Sequence, residues 1–195
     1  NEALESARRI ITPHSEIAAL YANKHRLLDW SIPKETKTFR SKRSASQPLT
    51  IAFPSSTIGR KGSYELRAAV QGLDVKVVTL GPQLEGAEFW RETVIENRIA
   101  GEDWLKGIDV VVLPAFVEHK PGRLLEAVAR GIPVIASTAC GLLHINEIIN
   151  IPVGDVEALR TEIKTLLTNG SFAENRYLRR GRDCSADGQT ARASI

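Results

Sequence analysis

An α/β domain built on a doubly wound parallel sheet is the fold class this sequence predicts, and three observations predict it. Short continuous apolar runs alternate with segments of helical spacing across residues 49–168. The strongest run, Ile108–Leu113, reads IDVVVL, the composition of a strand covered on both faces. Glycine and polar residues gather just after the runs, where sheets of this kind bind ligands. The bulk numbers agree: 195 residues, 43% hydrophobic and 25% charged, suit one soluble domain with a sizeable core and a flanking piece.

The elements follow in order. Ala3, Leu4, Ala7 and Arg8 are spaced as on a helix, and Arg9–Thr12 is a short strand-like run closed by Pro13. Ser15 is expected to N-cap a helix over Glu16–Tyr21 by accepting a free first-turn N–H. Residues 34–48 are rich in Ser, Thr and Lys and read as a linker. Leu49–Phe53 reads as a strand, and Ser63–Gln71 as a helix with Leu66, Ala69 and Val70 on one side. Val75–Leu80 is a β-branched run ending at Gly81-Pro82. Ile108–Leu113 is followed by Pro114, then by a helix over Leu124–Arg130 that Gly131 stops. Ile132–Ala136 is again a strand, and Asp155–Leu167 a helix with Val156, Leu159, Ile163 and Leu166 on one face. Residues 169–195, polar and Arg-rich, have little to bury and are expected to form a weakly packed helix or tail.

The formal net charge is +3, and the excess is uneven. Lys34, Lys37, Arg40, Lys42 and Arg43 crowd one stretch, and Arg176, Arg179, Arg180 and Arg182 another. Either can attract phosphate or an anionic membrane surface, or be a solvated linker and helix face. The two cysteines, Cys140 and Cys184, support no disulfide framework. No apolar run reaches the ~20 residues of a spanning helix. A cytoplasmic location is therefore expected, peripheral to the inner face of a membrane if the basic stretches engage it. A chain that opens on Asn1 and holds no methionine is expected to be part of a longer protein.

The chemistry should sit in the loops after the strands, at Pro54–Gly62, Gly81–Gly86, Pro114–Arg123 and Ser137–Leu143. Pro54–Gly62 joins a strand to a helix, whose free N–H groups and dipole suit a phosphate. Arg60 and Lys61 add full charges there, and Gly59 and Gly62 allow close approach; the spacing is not that of a P-loop. Glu118 and Glu126 are separated by seven residues, one in a loop and one in the second turn of a helix that starts near Pro121 and Gly122. A carboxylate at Glu126 can accept from both hydroxyls of a ribose, or the two acids can be ordinary surface groups. Gly141 and Gly81, each just after a strand, can line a nucleotide cleft. His14, His25, His119 and His144 show no zinc-like spacing, and no Ser-His-Asp order is present.

Taken in order, these segments resemble the C-terminal, nucleotide-sugar-binding half of GT-B-type retaining glycosyltransferases of the glycosyltransferases group 1 family. That half is Rossmann-like. The match runs over about residues 49–168: Arg60-Lys61-Gly62, Ile108–Pro114, the Glu118/Glu126 spacing, the run from Glu126 through Gly131-Ile-Pro-Val to Ser137, Cys140-Gly141-Leu142, and Ile151-Pro-Val-Gly-Asp155 through Leu167. Residues 1–33 resemble the last strand and helix of the N-terminal acceptor domain, on Ala7-Arg-Arg-Ile-Ile-Thr-Pro-His-Ser15. The resemblance implies roles. Lys61, helped by Arg60, would neutralise the donor diphosphate, and Glu126 would hold the ribose. Glu118 would face the donor sugar or its departing phosphate. Backbone N–H groups from Pro121, Gly122, Arg123 and Leu124 would cradle phosphate, with Gly62, Gly81 and Gly141 lining the cleft. No metal or further cofactor is implied, in keeping with the lack of an Asp-x-Asp motif.

Two departures from the family pattern matter. Ser55-Ser56 stands where Gly-Arg is usual, so one phosphate cation is either missing or supplied by Arg60. His119-Lys120-Pro121-Gly122 replaces the usual Gly-Phe-Gly after the first acid, which offers Lys120 as a donor contact in its place and leaves the donor's identity open. The implied activity is hexosyl transfer from a nucleotide-diphosphate sugar, with the acceptor domain as the missing partner. The chain alone is expected to bind nucleotide weakly and transfer nothing. Three other readings stand beside it: a sugar-nucleotide epimerase of similar architecture, a nucleotide-binding regulatory module with a degenerate site, and nucleic-acid binding through Lys34–Arg43. The last is not expected, since Phe39 is the only aromatic in that run and no recognition motif accompanies it.

Overall fold

The computed structural model describes residues 2–28, 30–34, 43, 47–86, 88–99, 101 and 103–169. The Arg-rich C-terminal stretch, Cys184 and most of the basic linker lie outside the described residues. The centre is a six-stranded, wholly parallel sheet of order β5-β4-β3-β6-β7-β8. Its strands are β3 (Leu49–Phe53), β4 (Val75–Thr79), β5 (Val94–Asn97), β6 (Val110–Leu113), β7 (Val134–Ser137) and β8 (Ile148–Ile151). The chain builds outward from β3 through β4 to β5, returns to the middle at β6, and builds the other way through β7 to β8. The reversal of strand order lies between β3 and β6, which pair with Ile51 opposite Val110 and Ala52 opposite Val111. The carboxyl ends of those two strands are where an open α/β sheet leaves a crevice.

The four middle strands are the expected apolar runs, and all of β6 and β7 is buried. Helix α3 (Ser63–Val70) buries Leu66, Ala69 and Val70, and α5 (Val156–Asn169) buries Leu159, Ile163 and Leu166 against the same core. Helix α4 is Gly122–Ala129. Right-handed crossovers place α3 and α4 on opposite faces, because β3→β4 and β6→β7 step in opposite directions. The return from β5 to β6 steps in the sense of β6→β7 and so shares a face with α4.

The strand at Ile108–Leu113 starts two residues late, because Asp109 Oδ2 accepts the Thr50 N–H at 2.8 Å and occupies the ladder end. Asp155 caps α5 by accepting the Ala158 N–H at 2.8 Å. Two strands of this six-stranded sheet go beyond the apolar runs read from the sequence, β5 and β8, and they are its two edges.

The N-terminal residues form a separate two-stranded parallel sheet of β1 (Ile10–Thr12) and β2 (His25–Leu27), with α1 (Glu2–Ser6) and α2 (Ser15–Leu20). Helix α2 corrects the cap: His14 is its N-cap and Ser15 lies inside the first turn, while Thr12 Oγ1 accepts the His14 N–H at 3.1 Å. This unit leaves Ile11 63%, Leu20 77% and Leu28 58% exposed. It touches the larger domain where His14 abuts Gly141 and where His144 Nε2 lies 3.2 Å from the Trp30 carbonyl. Of the basic linker, Arg43 donates to the Leu166 and Leu167 carbonyls at 3.3 and 3.1 Å, closing the last turn of α5.

Candidate functional site

The crevice is walled by the loop after β3 and the loop after β6. The first ends in a single 3₁₀ turn, Gly59–Lys61, and then Gly62, whose left-handed φ of 81° turns the chain into α3. A Cβ on Gly62 would stand 2.1 Å from the Pro114 carbonyl oxygen, so only glycine lets the two loops close. Once closed, they are laced together. Phe116 N–H donates to the Arg60 carbonyl at 3.0 Å and Val117 N–H to the same oxygen at 3.4 Å. In return Lys61 Nζ donates to the Val117 carbonyl at 3.1 Å.

Lys61 also pairs with Glu118, Nζ to Oε2 at 2.9 Å, with only 12% of each side chain exposed. The other carboxylate oxygen of Glu118 accepts the Lys120 N–H at 2.9 Å. Burial works to raise the Glu118 carboxyl. The Lys120 N–H, the Lys61 hydrogen bond and charge, and the charge of His119 outweigh it and hold the group below its usual range. Beneath the pair lies the buried Cys140 thiol. Burial pushes it up to about 11, the Ser137 hydroxyl lowers it, and the Glu118 and Lys61 charges act on it in opposite senses. Cys140 thus lies within the field of the pair.

Glu126 sits apart from this pair. Its Oε2 accepts from the indole Nε1 of Trp104 at 3.1 Å and its Oε1 meets Arg130 at 3.0 Å. Trp104 belongs to the return from β5 to β6, so the carboxylate faces that segment rather than Lys61. A carboxylate has about four acceptor sites, and these two donors leave room for a vicinal diol. Trp104 carries no signal in the sequence, because nothing local ties residue 104 to residue 126.

The remaining residues named from the sequence fall as follows. Arg123 donates from Nη1 to the Pro54 carbonyl at 2.7 Å and clamps the start of α4 to the loop after β3. Pro121 has no N–H, and the Leu124 N–H is already given to the Pro121 carbonyl at 3.0 Å. The phosphate cradle expected over 121–124 therefore narrows to the N–H groups of Gly122 and Arg123. Arg60 and Lys120 are exposed side chains at the rim. Gly81 lies so close to Ser56 that a Cβ would meet its nitrogen at 2.7 Å, and its carbonyl accepts from Asn97 at 2.9 Å. Gly141 caps the 3₁₀ turn Thr138–Cys140 and faces His14 of the N-terminal unit. A separate groove of about 540 Å³ runs beside α3, lined by Tyr64, Arg67, Gln71, Trp90 and Arg91 among others, and includes none of these site residues.

The family model for glycosyl transferases group 1 matches residues 57–169. The chain belongs to that family. The matched stretch runs from Thr57, within the loop after β3, to the end of α5, and takes in Lys61, Glu118, Glu126 and Gly141. Among curated proteins none matches the chain in sequence. Solved glycosyltransferases share the fold. The lipopolysaccharide outer core galactosyltransferase WaaB, in its apo form, is 14% identical with a TM-score of 0.66, over 83% of this chain and 53% of that one. Sucrose-phosphate synthase from Thermosynechococcus elongatus is 24% identical with a TM-score of 0.64, over 92% and 54%. HepE of Anabaena, solved in complex with UDP, is 19% identical with a TM-score of 0.61, over 83% and 54%. The group 1 chain thus spans about half the length of these enzymes.

Proposed function

We propose that this chain is the donor-binding half of a group 1 glycosyltransferase, holding a nucleotide-diphosphate sugar for transfer of its hexosyl group. The observation that carries the reading is the convergence, at the reversal of strand order, of Lys61 with the amino ends of α3 and α4. Neither helix has a side-chain cap on its N-terminal N–H groups. Free N–H groups, two helix dipoles and a cation aimed at one point suit a diphosphate and stabilise it as a leaving group. Glu126, oriented by Trp104 and Arg130, would accept from the ribose hydroxyls. The UDP in the HepE complex supports a nucleoside diphosphate in this class of fold. The acceptor belongs to a domain of which residues 2–28 would be one edge, and the exposed Ile11, Leu20 and Leu28 would be covered by it.

The test is calorimetric titration of the chain with UDP, GDP and ADP, beside Lys61→Ala and Glu126→Ala. Binding of one nucleotide, lost in both variants, is the expected result; binding that neither variant changes refutes the assignment. A module that binds nucleotide without transferring is a second reading, favoured by Pro121, which removes one phosphate-facing N–H. Restoring the acceptor domain separates them: the complete protein consumes a donor sugar if transfer is the function, and leaves it intact if only binding is.

A further inference from the structure

We propose that Glu118 is a positioning residue, the resident counter-ion of Lys61, and that the diphosphate enters by taking its place. This rests on the reading that phosphate binds at Lys61, and it changes what Glu118 does there. The carboxylate is held by its own loop: Oε1 by the Lys120 N–H, and the backbone behind it by the two N–H groups on the Arg60 carbonyl. The Lys61 ammonium has three donors, and Val117 and Glu118 occupy two of them. With 12% of each side chain exposed, the pair is shielded from water and its charges cancel. An arriving diphosphate therefore meets a cation already neutralised, beside a carboxylate that repels it. Phosphate can take the third ammonium donor at once, but full engagement requires Lys61 to change anions.

The groups facing Glu118 are Lys61 from the 3₁₀ turn, His119 and the Lys120 N–H from its own loop, and Cys140 from the turn after β7. The Cys140 thiol is uncharged at neutral pH. Lys61 is thus the charge that Glu118 balances, and removing the acid's charge should release it. Glu118→Gln keeps one oxygen to accept the Lys120 N–H and puts an uncharged amide NH2 where Oε2 meets Lys61, so the ion pair and the repulsion go together. A residue that binds the donor directly would behave in the opposite way.

The experiment titrates the full chain, Glu118→Gln and Lys61→Gln with UDP, GDP and ADP at pH 7.5 and again at pH 5. The expected result is roughly tenfold tighter binding by Glu118→Gln at pH 7.5, the scale of one unscreened charge at this range. The ratio between variant and parent should persist at pH 5, because the Lys120 N–H and Lys61 hold the Glu118 carboxyl below its usual range and keep it charged there; the nucleotide's own titration is common to both and cancels. Lys61→Gln should lose binding. Binding to the parent that Glu118→Gln leaves equal or weakens overturns the counter-ion role and leaves the donor site standing. No binding of any nucleotide to any of the three proteins removes both. If Glu118→Gln does not fold, Glu118→Ala takes its place: binding tighter than the parent's supports the counter-ion role, and equal or weaker binding refutes it.

Discussion

Gly62→Ala should be the most damaging single methyl in the crevice. Two costs add. The left-handed φ of 81° strains any L-residue with a Cβ by about 1–2 kcal/mol. The new Cβ would also stand 2.1 Å from the Pro114 oxygen and 2.5 Å from its carbon, both backbone atoms at the end of β6 that cannot swing aside. Relieving that overlap means prising the two loops apart, at about 1–3 kcal/mol. Gly72→Ala is the matched control: its φ is 72°, yet nothing lies within 4 Å of its would-be Cβ. It carries the strain alone, partly offset because alanine restricts the unfolded chain. Urea and thermal denaturation of both variants should place Gly62→Ala about 3 kcal/mol below the parent, near a 10 °C loss in melting temperature for a chain of this size, and Gly72→Ala within about 1 kcal/mol. Nucleotide binding should fail in Gly62→Ala even at temperatures where it stays folded, because relieving the clash with Pro114 displaces Lys61 and the amino end of α3 from the crevice. Equal losses in the two variants would show that the close approach to Pro114 contributes nothing.

Three further outcomes can be checked. Asp155→Ala should cost about 1 kcal/mol by urea denaturation and Asp155→Asn much less, since the Ala158 N–H needs only an acceptor oxygen. Arg98, and after it Lys76, hold the Glu96 carboxyl down to about 2 against an ordinary 4.5. A lowered carboxyl stabilises above the ordinary value and loses that stability as the pH falls through the folded one. The gap between the parent and Glu96→Gln should therefore be full above about pH 5 and close between pH 4.5 and 2; a gap that survives at pH 2 would show that the charge is not its source. In a Cys184→Ser background, Cys140 should resist a disulfide-exchange reagent at pH 8 until denaturant is added, because a thiol pushed up to about 11 holds only ~0.1% thiolate there. Rapid labelling of the folded chain would contradict the burial.

The middle of the fold was legible because burial on both faces writes itself as uninterrupted apolar sequence. Val110–Leu113 and Val134–Ser137 have no solvent side to satisfy, so no polar alternation blurs them. The edges obey a different rule. In β5, Val94 is 65% exposed and Glu96 carries a surface ion network, so VIEN lacks the composition of its neighbours. In β8, Asn150 interrupts the run although Ile148 and Ile151 are buried. The cap at Ser15 failed by one residue for a local reason: Thr12 ties down the His14 N–H, which ends the strand and starts the helix earlier. The extent of the helices read well because each apolar stripe faces one sheet.

The site was legible as residue types and not as partnerships. Glu118 and Glu126 are eight positions apart, and the spacing treats them as one motif. The strand order separates them. β6 lies beside β3, so the loop leaving β6 must meet the loop leaving β3, and Glu118 meets Lys61. The chain coming back from β5 must cross the face that carries α4, so Glu126, one turn into that helix, meets Trp104. Arg123 reaches a carbonyl 69 residues earlier in the chain by the same adjacency. Each partner is fixed by which strands are neighbours, a property of the whole sheet that no window of sequence contains. This is also why the two acids should answer to different assays. Glu126 is held still by Trp104 and Arg130 and does not neutralise the phosphate cation Lys61, so its loss should weaken nucleotide binding at every pH. Glu118 balances a lysine, so its loss should strengthen binding, and most where it is charged.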